Sequence, residues 1–357
     1  MTLHNGSRPG EAAQGTFHLD AARLERWLEE NVSGFRGPVS VSRFQGGQSN
    51  PTYRLTSPSG TYVLRSKPAP KARLLPSAHA IEREFRIQRA LAGTDVPVAK
   101  VYALCEDEAV IGRAFYVMEC LQGRVFWDPS LPGMAPAERA AIYHAMHDAL
   151  AALHRVKPGE AGLSDFGKPG NYFQRQIERW SKQYRSSETA RIAAMDELME
   201  WLPSHIPPED APPVSIVHGD FRIDNLIFHP TEPVVLGILD WELSTLGHPL
   251  ADFSYLCMYW DIPPDVFRGL GGLDLAALGI PDMHAYRDSY LASTGLTVTG
   301  DWNFYLAYNL FRMAAILQGV LKRALDGMAA SDDSIRNGLQ VAALAELGLE
   351  RARQANR

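Results

Sequence analysis

Residues 214–240 alternate short apolar runs with one dense polar block, and that pattern leaves few ways to fold. Val214-Ser215-Ile216-Val217 leads into His218-Gly219-Asp220-Phe221-Arg222-Ile223-Asp224-Asn225. Leu226-Ile227-Phe228 leads out of it, and Val234 to Leu239 follows, ending at Asp240. Apolar runs this short read as buried strands rather than helices. The polar block is therefore a loop entered from one strand and followed by a strand pair.

The residue types in the loop carry a chemistry. Asp220 is a carboxylate, Asn225 an amide five residues on, and Asp240 a second carboxylate twenty on. Phosphoryl transfer from a nucleotide needs these groups: one carboxylate to orient and deprotonate the attacking hydroxyl, and an amide and a carboxylate to hold Mg²⁺ on the phosphates. The spacing matches the kinase catalytic loop, H-x-D-x-x-x-x-N followed by a metal-binding Asp. Asp and Asn in a turn more often bond only nearby backbone. The second carboxylate, at the right distance behind an apolar strand, separates this block from an ordinary turn.

HGDFRIDNL and ILDWELSTLGHPLADFSYL resemble the aminoglycoside phosphotransferase family of protein-kinase-like small-molecule kinases. Upstream, RFQGGQSNPTYRL resembles that family's nucleotide loop, TYVLRSKP its third strand and LLPSAHAIEREFRIQRAL its first-lobe helix. The wording LLPSAHAIEREFRI is similar to a kinase-like domain that some larger proteins carry fused to an acyl-CoA dehydrogenase. The resemblance covers roughly residues 20 to 330, with its motifs in order. It implies an α+β, bilobal protein-kinase-like fold, with a small five-stranded antiparallel N-lobe and a mainly helical C-lobe. It also implies ATP or GTP as donor, Mg²⁺ as cofactor and a small-molecule hydroxyl acceptor, with an association with enzymes of acyl-CoA metabolism.

The site residues follow motif by motif. Gly46, Gly47, Gln48, Ser49 and Asn50 lie between two strands, where two glycines let backbone amides approach phosphate oxygens. Such a segment alone is more often a hairpin turn; its place before Thr61-Tyr62-Val63-Leu64-Arg65 favours the phosphate role. Strand alternation puts Val63, Arg65 and Lys67 on one face. Arg65 stands where protein kinases carry a phosphate-gripping Lys, and a guanidinium can hold phosphate with two prongs; Lys67 is the competing cation. Glu82 and Glu84 are two apart and face different sides of the next helix. The family pattern selects Glu84 as partner of Arg65, against a plain surface pair with Arg83 or Arg86. By the same resemblance the Glu119 carbonyl and the Leu121 amide read the nucleotide base. Asp220 is then the base, and Arg222 either neutralises the moving phosphoryl group or pairs with Asp224. Asn225 and Asp240 are the Mg²⁺ ligands. His218 reads as a structural imidazole under the loop, and Asp252 as an anchor of the loop backbone.

Composition fits an enzyme with a large core: 357 residues, 46% hydrophobic. A net charge of −6 gives no hint of nucleic-acid binding. Residues 1–120 hold 15 Lys and Arg against 12 Asp and Glu, a balance of +3, and the remainder 20 against 29, or −9. A basic nucleotide lobe and an acidic second lobe suit a kinase. The first 17 residues lack an apolar signal core and no 18-residue apolar run stands out, so neither a secretory signal nor a membrane span is expected. Cys105, Cys120 and Cys257 have no C-x-x-C spacing, which points to free thiols and a cytoplasmic location.

Periodicity divides the chain into a disordered tail over 1–19, a nucleotide-binding lobe over 20–121 and a catalytic and substrate lobe over 122–357. The first lobe reads as a helix over 20–32, strands near 38–45, 52–56 and 60–67, a helix from Ser77 to Leu91, and strands at Val98–Leu104 and Ala114–Cys120. Gln122-Gly123-Arg124 is the crossing. Helices follow near 136–155, 171–184, 188–202, 249–260, 282–293, 301–325 and 333–353, and the proline-rich stretch Pro203 to Pro213 reads as loop. The acceptor is open. An aminoglycoside would want clustered carboxylates; a hydroxyacyl-CoA would want an apolar slot and a basic patch such as Lys67–Arg73. The fused-domain wording favours the acyl thioester. Tyr172, Arg175, Arg179 and Trp180 on one helix are weighed as acceptor contacts, although that pattern is more often a core helix. A nucleotide-binding pseudokinase is the alternative of another class, and retention of Asp220, Asn225 and Asp240 opposes it.

Overall fold

Two separate hydrophobic cores organise the chain. The computed structural model describes residues 20–44, 50–68, 80–168, 170–208, 214–327, 335–336 and 338–355. These fall into two compact units, one reaching to residue 73 and including Tyr102–Met118, the other comprising 74–101 and Glu119 onward.

The first unit begins with α1 (Ala21–Asn31), capped by Asp20, whose Oδ1 accepts from the Arg23 amide at 3.1 Å. Leu24 and Leu28, one turn apart, are fully buried. The helix lies with a five-stranded antiparallel sheet of β1 (Ser40–Arg43), β2 (Thr52–Ser57), β3 (Gly60–Ser66), β4 (Val101–Cys105) and β5 (Phe115–Glu119). The strand order is β1-β2-β3-β5-β4. Leu55, Leu64, Phe115 and Val117 fill the space between helix and sheet. Burial on β3 does not alternate: Tyr62, Val63 and Leu64 are all buried, as expected of a strand covered on both faces.

The second unit is mainly helical. It contains α2 (Ile81–Leu91), α3 (Pro136–Arg155), α4 (Tyr172–Ser187), α5 (Ala193–Ser204), α6 (Pro249–Cys257), α7 (Pro264–Phe267), α8 (Leu275–Leu278), α9 (Met283–Thr294), α10 (Trp302–Leu325) and α11 (Val341–Ala355). Two short hairpins sit among the helices: β6 (Ser215–Val217) pairs with β9 (Thr245–Gly247), and β7 (Leu226–Phe228) with β8 (Val235–Ile238), both antiparallel. The α3 helix matches its expected span. Other spans differ, such as the helix expected over 188–202, which runs Ala193–Ser204, and that expected over 333–353, which runs Val341–Ala355. Pro203 lies inside the last turn of α5, where the chain was expected to have left the helix. The helix expected over 249–260 ends at Cys257 and tightens to a 3₁₀ turn over Met258–Trp260, where the Trp260 indole donates to Pro281 O at 2.9 Å. The four-residue helices α7 and α8 are too short to show a period in sequence.

The α10 helix is by length and composition apolar enough to cross a membrane, which the sequence reading did not anticipate. In the structure 89% of that apolar window is buried inside the unit, against α4, α6 and α11.

Candidate active site

The loop after β6 is held from beneath by buried hydrogen bonds. His218 is fully buried. Its Nδ1 accepts from the Asp220 amide at 3.2 Å, so Nε2 carries the proton and donates to Leu239 O at 2.8 Å. This is the structural imidazole expected from sequence. Gly219 has φ +85°, and a Cβ there would lie 2.8 Å from Leu243 O, so only glycine fits. Asp252, in the first turn of α6, accepts from the His218 amide at 2.6 Å and the Gly219 amide at 2.8 Å. His154 of α3 approaches the same carboxylate at 3.3 Å and hydrogen-bonds the Tyr290 hydroxyl with its other nitrogen. Burial alone would raise the pKa of Asp252. The His154 hydrogen bond and the Gly219 amide outweigh it and hold the carboxyl below the usual range. Asp252 thus anchors the loop, as its place in the sequence suggested.

The loop's upper side gathers the functional groups. The Asn225 side chain donates to Asp220 O at 2.9 Å and to Asp220 Oδ2 at 3.0 Å. The Tyr255 hydroxyl donates to Asp220 Oδ1 at 2.7 Å. The β7–β8 register pairs Leu226 with Ile238, and the Leu239 amide donates to Asn225 O at 2.8 Å. This register sets Asp240, the next residue, beside Asn225. Asp240 adopts φ +63°, a left-handed conformation that is uncommon outside glycine and tends to persist at functional sites. Its backbone turns the chain out of β8 into a 3₁₀ turn over Trp241–Leu243.

The structure therefore brings Asp220, Asn225 and Asp240 to one end of the hairpin. The donor set suits Mg²⁺. Because the amide nitrogen of Asn225 donates to Asp220, its carbonyl oxygen and the Asp240 carboxylate are the hard oxygens that would hold Mg²⁺ here.

Arg222 lies between carboxylates, its Nε 3.1 Å from Asp224 Oδ1 and 3.6 Å from Asp220 Oδ2. Arg268 reaches Asp224 from the other side at 3.5 Å. Burial raises the Asp224 pKa against the pull of these two cations. Burial would lower the Arg222 pKa, and the charges of Asp220 and Asp224 raise it instead. Arg222 and Asp224 form one wall of a narrow slot of about 20 Å³, otherwise lined mostly by apolar and aromatic side chains including Tyr143, Leu256 and Tyr259. Trp127 stands 65% exposed at its rim, with the Arg268 guanidinium 5.9 Å from its ring.

The remaining sequence candidates separate by unit. Gly46, Gly47, Gln48 and Ser49 lie outside the described residues. Asn50 is buried, and Arg65 on β3 pairs in register with Thr52 of β2, so both lie at the same end of that hairpin. The Lys67 carbonyl accepts from Arg113 at 3.2 Å. In the second unit Glu84 of α2 is 1% exposed, whereas Glu82 is half-buried. The two arginines weighed against Arg65 as its partner are engaged elsewhere: Arg83 donates to Phe166 O at 2.7 Å and Arg86 pairs with Asp165. The Glu119 amide donates to Lys100 O at 2.8 Å. Leu121 packs against Gly237 of β8. At the crossing, Arg124 and Phe228 exchange backbone hydrogen bonds of 2.8 Å, and a Cβ on Gly123 would fall 2.2 Å from Phe228 O. The α4 helix is a core helix: Phe173, Ile177, Trp180 and Tyr184 are buried, and Arg175 donates to Lys168 O.

Sequence reasoning missed Tyr255 and Arg312. Arg312 is 6% exposed on α10, donates to Gly219 O, and places its guanidinium 4.8 Å from the Tyr255 ring. A lone arginine in the middle of an apolar helix is the signal that could have found it, since buried cations require partners.

Comparison with known proteins places the chain among relatives of known family. A mouse protein, acyl-CoA dehydrogenase family member 10, is 45% identical over 97% of this chain, which covers 32% of that protein. Human acyl-CoA dehydrogenase family member 11 is 41% identical over 93% of this chain and 43% of its own length. The chain thus spans under half the length of these relatives. A crystal structure from Ralstonia eutropha JMP134, provisionally named an aminoglycoside phosphotransferase, is 60% identical, with a TM-score of 0.87 over 93% of this chain and 98% of that one. The GDP complex of aminoglycoside 2'-phosphotransferase-IIIa shares the fold at 15% identity, with a TM-score of 0.60 over 96% of this chain and all of that one. The family model described as the phosphotransferase enzyme family matches residues 40–288, and the chain belongs to that family.

Proposed function

We propose that this phosphotransferase moves the γ-phosphate of ATP or GTP to a hydroxyl of a small molecule, and that a hydroxyacyl-CoA is its acceptor class. The observation that carries the reading is the convergence of Asp220, Asn225 and Asp240 at one end of the β7–β8 hairpin, with the Asn225 amide donating to Asp220 at 3.0 Å. Asp220 orients the acceptor hydroxyl and takes its proton. Asn225 and Asp240 hold Mg²⁺, which when bound neutralises charge on the phosphates. Arg222, within 3.6 Å of Asp220, adds positive charge where the phosphoryl group moves. Arg65 and the segment Gly46–Asn50 hold the phosphates, Glu84 supports Arg65, and the Glu119 carbonyl and Leu121 amide read the base. Positioning and charge neutralisation supply most of the acceleration, because little covalent work falls to the protein. Structural relatives solved with AMP-PNP and with GDP support a nucleotide donor of either kind.

The slot beside the loop favours the acyl acceptor over an aminoglycoside. An aminoglycoside is polycationic and would need free carboxylates, whereas the one carboxylate lining the slot, Asp224, is shared by Arg222 and Arg268. With only about 20 Å³ free, the slot would seat an acceptor's apolar part across its rim, on Trp127, with Arg268 facing an anionic group. Of the basic patch expected over Lys67–Arg73, residues 69–73 lie outside the described residues. The relatives' names support work alongside acyl-CoA dehydrogenases. The three free cysteines suit the reducing cytoplasm.

The test is turnover of ATP and GTP with Mg²⁺ against a panel of hydroxyacyl-CoAs, aminoglycosides and amino alcohols. Phosphorylation of a hydroxyacyl-CoA, with aminoglycosides inert, is expected. Preference for an aminoglycoside would overturn the acceptor assignment, and tight nucleotide binding with no turnover at all would favour a pseudokinase.

A further inference from the structure

Asp220 is held by more than its own loop. Its Oδ2 accepts from Asn225, and its Oδ1 accepts from the Tyr255 hydroxyl at 2.7 Å. Tyr255 sits on α6 three residues beyond Asp252, so one helix carries both the anchor of the loop backbone and a donor to the loop's carboxylate. Its ring is 2% exposed. The Arg312 guanidinium lies 4.8 Å from that ring and donates to Gly219 O, so the tyrosine and the loop are braced by the same cation.

We propose that Tyr255 is a positioning residue: its hydroxyl fixes the rotation of the Asp220 carboxylate, so that the oxygen facing the acceptor is set before substrate arrives. The inference rests on the reading of Asp220 as base. With one donor on each oxygen, the carboxylate cannot turn about its Cβ–Cγ bond without losing both hydrogen bonds. Burial, reinforced by the charge of Asp220, pushes the Tyr255 pKa well up, so the phenol remains a donor across the working range and does not act as an acid itself. A rigid contact of this kind places the reacting group and leaves nucleotide binding alone, because Tyr255 makes its contact with Asp220 and not with the metal ligands.

Tyr255→Phe removes one oxygen and keeps the ring under Arg312. Two reactions serve as assays: nucleotide hydrolysis with water as acceptor, and transfer to whichever hydroxyl acceptor the wild type uses. The expected result is a fall in kcat of about 10- to 100-fold, the scale of a hydrogen bond to a charged group. KM, nucleotide affinity by calorimetry and the thermal midpoint should stay near wild type. In an Asp220→Asn background the same change should cost nothing further. A Tyr255→Phe enzyme with wild-type kcat, alongside an inactive Asp220→Asn, would sink the positioning role while sparing the base. A parallel loss of kcat and thermal stability would reduce Tyr255 to packing. Full activity in Asp220→Asn alone would instead overturn the base assignment.

Discussion

The two sides of the catalytic loop are built on opposite terms. The inner side faces α3, α6 and α10, and its polar groups are buried and paired: His218 to Leu239 O, Asp252 to two loop amides, Arg312 to Gly219 O. The outer side faces the slot, where Trp127 is 65% exposed and Arg268 shares Asp224 with Arg222. Buried polar groups cost free energy unless every partner is present, so the inner side admits few alternatives. On the outer side the Asp224 side chain is itself buried between Arg222 and Arg268, and the looser constraint lies only at the exposed rim around Trp127. The loop is therefore rigidly held, while the rim around Trp127 is freer to differ among proteins with the same loop.

The largest effects should come from the groups the inner side holds in place. Asp220→Ala is expected to lose about 10²- to 10⁴-fold in kcat while nucleotide affinity changes only a few-fold. Asp240→Asn should abolish Mg²⁺-dependent transfer with the fold intact by circular dichroism. Wild-type turnover at low Mg²⁺ in the second variant would remove Asp240 from the metal site.

Next in size is Asp252. Asp252→Ala strips the acceptor from two buried amides and from His154, and should cost roughly 3–5 kcal/mol of stability by denaturant titration near neutral pH. The pH dependence has a definite sign. The folded-state pKa of Asp252 is depressed, so its stabilisation is present above the unfolded carboxyl value of about 4 and is lost as pH falls through the lower folded value. The gap in stability between wild type and variant should accordingly shrink below about pH 4. A gap unchanged to lower pH would show that the anionic form is not what anchors the loop.

Arg65→Ala should weaken nucleotide binding about 10- to 100-fold, the loss of a charge-assisted contact, and Lys67→Ala should change it little. Calorimetry giving the reverse order would transfer the phosphate role to Lys67. The smallest effect should lie on the open side. Trp127→Ala should raise the acceptor KM by several-fold, about the 0.5–1.5 kcal/mol of an aromatic contact, without moving kcat or the thermal midpoint. If Trp127→Ala instead lowered stability, the outer side would be structural and the contrast between the two sides would fail.

How much was legible follows the same division. His218, Asp220, Asn225 and Asp240 declare themselves because their types and spacing are set along one local stretch of chain. The small sheet and the α3 helix were readable because apolar periodicity is local too. The short helices α7 and α8 were not, since four residues carry no period, and the 3₁₀ turn after Cys257 carries a Trp260–Pro281 hydrogen bond to a distant residue that no local pattern shows.

What the sequence determined by itself was the family, the α+β bilobal class and the order of the motifs, because each is encoded in neighbouring residues. Only the tertiary structure decided which distant side chains complete the site. Tyr255 lies 35 positions from Asp220 and Arg312 lies 93 from Gly219, and no local pattern links them. Their pairing is imposed by burial: once α6 and α10 pack beneath the loop, each polar group there must find its partner inside the protein, and the partner is whichever residue the packing brings near.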